Sequence, residues 1–116
     1  MIAHVVLFQP RPDLTAADRA RFHAALTTAI GAIPSIRRAR VGTRVRHGAA
    51  YEAVMPIDFA FIGLFEFDDV AGLKAYLDHP AHAELGHLFY TSNTAALAYD
   101  YEMWNLADAP KLVSLN

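Results

Sequence analysis

Residues 76 to 82 read Tyr-Leu-Asp-His-Pro-Ala-His, a phenol and two imidazoles within seven positions. Imidazole is the side chain that titrates nearest neutral pH, so a neutral His82 suits a general base. Pro80 fits the first turn of a helix, which places His82 in that turn as well. The positive end of the helix there disfavours imidazolium. Tyr76, six residues earlier, could bring its hydroxyl to the same space and donate a proton or a hydrogen bond to an oxyanion. Asp100 could accept from the second ring nitrogen of His82 and hold its tautomer. His4 could line the same cleft. The residues also admit a structural reading, in which His79 caps the helix and His82 is a packed histidine bonded to backbone.

Other chemistries find less support. His79 and His82 supply at most two ligands to a metal, and zinc wants three or four. His23 and His47 read as surface residues. Glycine-rich phosphate loops, Gly-x-Ser-x-Gly and His-Glu-x-x-His are all absent from the sequence. The phenylalanine row of residues 59 to 67 is flanked by Asp58, Glu66 and Asp68, which suits core or pocket lining better than base stacking.

The elements that must hold these groups follow from periodicity. Residues 2–9 are rich in β-branched and aromatic side chains, are closed by Pro10 and Pro12, and form a strand apolar on both faces. Residues 13–30 read as a helix opened by a capping box at Thr15 and Asp18. Its buried stripe is Phe22, Leu26, Ala29, Ile30 and Ile33, with Arg19 and Arg21 off that stripe. Residues 35–48 alternate apolar residues with arginines, as in a solvated strand bulged near Gly42. After a loop, residues 58–67 form a strand in which Phe59, Phe61, Gly63, Phe65 and Phe67 share a face, and Gly63 leaves room for a close approach. A helix over 68–78, a short helix from Pro80 to about Asn93 and a strand over 95–104 complete the order. The plan β-α-β-β-α-(α)-β is ferredoxin-like α+β, a four-stranded antiparallel sheet with helices on one face.

Composition bounds the rest. A chain of 116 residues is one domain's worth, and it has no cysteine for disulfides or thiolate chemistry. A formal net charge of -2 gives no footprint for nucleic acid. The N-terminal apolar run is too short to span a bilayer and lacks a signal-peptide layout, so the chain reads as a soluble cytoplasmic protein, with no membrane partner. Hydrophobic residues make up 54%. The surplus, with strands apolar on both sides, implies that two subunits pack sheet against sheet in a barrel-like homodimer, or that a ligand pocket is present.

The stretches "IAHVVLF", "FEFDDVAGLKAYLDHPAH" and "AYDYE" resemble the stress-responsive dimeric α/β-barrel (Dabb) domain family over about residues 1–103, with residues 104–116 left as a C-terminal tail. The resemblance implies a ferredoxin-like subunit paired through its sheets. The family includes stress-associated proteins of undefined activity and a plant polyketide cyclase that needs no cofactor. Carried over by position, His82 matches the base, Tyr76 the acid or oxyanion partner, Asp100 the carboxylate near the base and His4 the strand-one histidine. Val6, Phe8, Phe22, Gly63, Phe65 and Leu85 would line the pocket. Phe61 stands where the cyclase has a histidine, and Asn93 where it has an aromatic residue, so the pocket should be more apolar at one end and more polar at the other. The resulting expectation is a cofactor-free pocket for a small apolar carbonyl or phenolic compound, with His/Tyr acid–base chemistry of cyclase or lyase type. The alternative is a non-catalytic stress-associated dimer with a vestigial pocket. A haem-handling or monooxygenase role finds no specific signal.

Overall fold

In a computed structural model that describes residues 1–109, the elements are β1 (Ile2–Pro10), α1 (Ala16–Ala32), β2 (Arg38–Thr43), β3 (Phe61–Phe67), α2 (Val70–Asp78), α3 (Pro80–Ser92) and β4 (Asn93–Glu102). Single 3₁₀ turns cover Ala50–Val54 and Leu106–Asp108. The strands form one antiparallel sheet in the order β2-β3-β1-β4. This is the ferredoxin-like α+β plan.

Local chemistry sets each boundary. Thr15 accepts from the Asp18 backbone N–H while the Asp18 carboxylate accepts from that of Thr15, so α1 begins at Ala16 rather than at residue 13. Asp69 caps α2 through the Gly72 N–H. His79 ends α2 and caps α3, its Nδ1 accepting from the Ala81 N–H at 3.0 Å, and Pro80 follows in the first turn.

Three expectations about the second and third strands need correcting. The second strand is shorter than residues 35–48, because single backbone bonds from Arg37 to Glu66 and from Arg44 to Ala60 close off its ends. The outgoing chain is then held by Arg44 and Arg46 on Asp58. The pairing of β2 with β3 runs through Gly42 without a bulge. The irregularity lies between Gln9 and Pro10, where the proline cannot continue the ladder. Phe59 precedes β3 and is not part of its aromatic row.

Strand alternation puts Ile2, His4, Val6 and Phe8 on the helix-facing side, registered against Phe67, Phe65, Gly63 and Phe61 of β3. The core is built on that side from Val6, Phe8, Phe65 and Phe67 against Ala25, Ala29, Leu73, Tyr76, Leu85 and Leu88. Each buried aromatic ring removes roughly 150–250 Å² from water, about 4–6 kcal/mol in transfer terms. On the other side of the sheet, Val5, Leu7 and Leu64 are only half buried, and Ile62, Leu97, Tyr99 and Tyr101 are exposed. An apolar sheet face of this extent is left bare by the single chain. No helix among the described residues is long and apolar enough to cross a membrane.

Candidate active site

Two neighbouring cavities that share lining residues lie between the sheet and the helices. The inner one, about 210 Å³, is lined by His4, Val6, Phe8, Phe22, Gly63, Phe65, Tyr76, His82 and Leu85, together with Leu26, Val41, Leu77, Phe89 and Ala98. Its walls are mostly apolar, and its polar groups are two imidazoles and one phenol.

Tyr76 sits between the two imidazoles. Its ring centroid is 4.7 Å from that of His82, edge-on, and 5.7 Å from that of His4. The ring is held by stacking on Phe65 at 5.6 Å and contact with Phe67 at 5.3 Å, and the residue is only 2% exposed. Burial pushes the phenol up to about 12, so it is protonated throughout the physiological range.

His82 occupies the first turn of α3, its backbone N–H bonded to the His79 carbonyl at 2.9 Å. Its ring lies along the helix over Gly86, where a Cβ would come within 3.3 Å of His82 Cε1. Burial lowers the His82 pKa, the nearby His4 lowers it further, and the Leu77 backbone acts in the opposite direction. Neutrality at this imidazole thus rests chiefly on desolvation, where the sequence had pointed to the helix dipole.

Asp100 takes a place other than the one expected. It is registered opposite His4 across β1 and β4, and its Oδ1 lies 2.5 Å from His4 Nδ1. The carboxylate is therefore the partner of His4 and not of His82. An ionised carboxylate only accepts, so His4 Nδ1 carries the proton. This bond holds a buried imidazole by a half-exposed carboxylate, whose side chains are 9% and 42% exposed.

Gly63 supplies a close approach, but from within the protein. A Cβ there would stand 2.7 Å from Val6 Cγ2 and 3.1 Å from Phe65 Cε2, so these side chains fill the place of a side chain at residue 63. Phe61 stacks on Phe8 at 5.5 Å and lines the outer cavity, so the inner cavity remains open beside it. Asn93 also faces the outer cavity, and its side-chain amide donates to the Phe89 carbonyl at 2.7 Å, closing α3. Among the described residues no cluster of three or more His, Cys, Asp or Glu could hold a metal ion.

The outer cavity, about 750 Å³, shares Phe8, Phe22, Leu26 and Val41 with the inner one. Arg19 and His23 stand on its wall. Sequence reading had placed both outside the buried stripe of α1. The signal that could have found them is their spacing, since residues 19, 22, 23 and 26 share one helical face.

The Dabb family model, described as the stress responsive A/B barrel domain, matches residues 2–103. No curated protein matches the chain. Among solved structures, a protein of Arabidopsis thaliana superposes with a TM-score of 0.73 at 18% identity, covering 91% of this chain and 98% of that one. A hydroxynitrile lyase from Passiflora edulis gives 0.72 at 15% identity, covering 86% and 90%. A dimeric ferredoxin-like protein of unknown function from Thermobifida fusca gives 0.68 at 22% identity, covering 88% and 90%. At these identities the likeness is one of fold.

Proposed function

The chain belongs to the Dabb family, and on that footing we propose that its inner cavity binds a small, largely apolar carbonyl or phenolic compound on which His82 and Tyr76 move protons without a cofactor. The observation that carries this reading is the edge-on contact of Tyr76 with His82 at 4.7 Å inside a mostly apolar cavity. A neutral imidazole takes a proton from a carbon or hydroxyl next to the carbonyl. The charge that develops on the carbonyl oxygen is met by the Tyr76 hydroxyl. With its pKa raised to about 12 the phenol is a poor proton releaser but a persistent donor, which suits it to oxyanion stabilisation. The proton held on His82 then returns to the product. Asp100 keeps the proton of His4 on Nδ1 and so orients the second imidazole in the cavity wall.

This is chemistry of lyase or cyclase type. The Passiflora edulis fold relative is a hydroxynitrile lyase, which favours lyase-type chemistry as one use of this fold. The bare apolar sheet face favours a homodimer paired sheet to sheet, as does the dimeric description of the Thermobifida fusca relative. A cytoplasmic, stress-associated setting is part of this reading, its stress association resting on the family's description. Titration of the protein with 4-propylphenol, followed by NMR at the histidine and tyrosine rings, tests the cavity. Saturable shifts at His82 and Tyr76 that vanish in Tyr76→Phe support the reading, and shifts absent from both rings overturn it.

A further inference from the structure

The outer cavity is lined by Arg11, Arg19 and His23 and by no carboxylate, in a chain whose acidic residues outnumber its lysines and arginines. Arg11 is already committed. Its guanidinium holds Asp13 at 3.0 and 3.2 Å and the Thr91 carbonyl at 3.1 Å, pinning β1 to the end of α3. Arg19 joins none of the ion pairs among the described residues, which are Arg11–Asp13, Arg37–Asp68, Arg40–Glu66, Arg44 and Arg46 with Asp58, and two involving Met1 and His4. The adjacent carboxylate, Asp18, is taken up by the Thr15 cap.

Arg19 and His23 are one helical turn apart on α1. The same face carries Phe22 and Leu26, and these two side chains line both cavities. One face of one helix therefore runs from a guanidinium in the outer cavity to the apolar wall of the inner one. A ligand that followed that face would meet apolar side chains for most of its length and a cation at its outer end.

We infer that the natural ligand is an amphipathic anion, with an apolar or phenolic end in the inner cavity and one acidic group in the outer cavity recognised by Arg19, with His23 beside it. This inference rests on the reading of the inner cavity given above and adds the charge and polarity of the substrate. Arg19 is a binding and specificity residue here. It lines the outer cavity and not the inner one, which holds His4, Tyr76 and His82, so the reacting end of the ligand does not depend on it for chemistry.

The test uses ω-(4-hydroxyphenyl)alkanoic acids of increasing chain length, each beside its primary amide, in calorimetric titrations at neutral pH. For the length that spans the two cavities, the acid should bind about fivefold more tightly than the amide, the size of one partly exposed ion pair. That preference should disappear in Arg19→Gln and survive in Arg19→Lys. It should also shrink as ionic strength rises from about 0.01 M to about 1 M, where the screening length falls from ~30 Å to ~3 Å. Arg19 is exposed on a helix, so the glutamine variant keeps a good helix former and the fold. Equal binding of acid and amide at every length, or a preference that persists in Arg19→Gln, overturns the inference and leaves the inner-cavity reading standing. Failure of every acid and amide together with 4-propylphenol overturns both.

Discussion

His4 Nδ1 and Asp100 Oδ1 lie 2.5 Å apart although the two residues are 96 positions apart in the chain. The register of β1 against β4 makes the bond, since His4 and Asp100 are direct cross-strand partners. It has a consequence for the cavity, because a buried imidazole with Nδ1–H committed to a carboxylate presents only its other nitrogen to a ligand. Asp100→Asn should retain the fold and cost about 1 kcal/mol, a modest figure because the carboxylate is 42% exposed. Urea unfolding checks the cost. NMR of the His4 ring should show the tautomer no longer held, and a ring signal unchanged from wild type would contradict the assignment.

The depressed pKa of His82 makes stability depend on pH in a stated direction. The folded value lies below the ordinary one, so on acidification the unfolded chain takes up the proton before the folded chain does. Stability from this group is therefore intact above about pH 6.5 and is lost as pH falls below it. Unfolding midpoints of wild type and His82→Gln, measured from neutral to mildly acidic pH, should diverge only in the acid range, with the wild type falling faster. Parallel curves would show that the imidazole is not desolvated.

Tyr76 should be the last tyrosine of the chain to ionise. The sequence has five, and burial takes this one to about 12. A spectrophotometric titration should show one phenol that resists ionisation beyond the range in which ordinary tyrosines titrate. That late step should be missing from Tyr76→Phe. Burial is the only cause of the raised value, with no hydrogen bond contributing, so the phenylalanine variant should unfold within about 1 kcal/mol of wild type. Tyr76→Ala, by contrast, removes the ring from between Phe65 and Phe67 and should cost about 3–5 kcal/mol.

Gly63 is held by its neighbours. The 2.7 Å approach of Val6 Cγ2 to the missing Cβ means that Gly63→Ala must displace a buried side chain, at about 1–3 kcal/mol. The double variant Gly63→Ala, Val6→Ala should recover part of that loss, and strict additivity in the double-mutant cycle would refute the contact.

The bare sheet face makes a separate prediction about assembly. Leu97→Glu puts a charge among Val5, Leu7 and Tyr99 on the exposed side of the sheet. Analytical ultracentrifugation should find wild type as a dimer and the variant as a monomer. A wild-type monomer at micromolar concentration would remove the sheet-to-sheet pairing from the account.

Much of the fold was legible because its signals are local. The capping box at Thr15, Pro80 after His79, and the β-branched and aromatic runs of β1 and β3 each settle a boundary within a few residues. The place of Tyr76 beside His82 was legible for the same reason, since a tight turn joins α2 to α3. The partner of Asp100 was not, because the β1–β4 register depends on pairing across nearly the whole chain. The cause of His82 neutrality was misread because burial is a property of the packed helices and is invisible in spacing. Arg19 and His23 were set aside as polar residues beside an apolar stripe, and only the gap left above β2 turns their helical face into a cavity wall. Of the tail's leucines and Val113, expected to dock on a neighbouring surface, Leu106 is exposed, and Leu112, Val113 and Leu115 lie outside the described residues.

The central claim is that His82 and Tyr76 move a proton on a carbonyl compound held in the inner cavity. Its most direct test is exchange of the α-hydrogens of a small apolar ketone such as 2-heptanone for deuterium in heavy water, followed by NMR. That measurement reads the base and the oxyanion donor without requiring the natural reaction. The account predicts exchange faster than the buffer rate with wild type, lowered by about 10²-fold or more in His82→Gln and in Tyr76→Phe. Exchange at the buffer rate with wild type, or an enhanced rate that survives in the double variant, would contradict it.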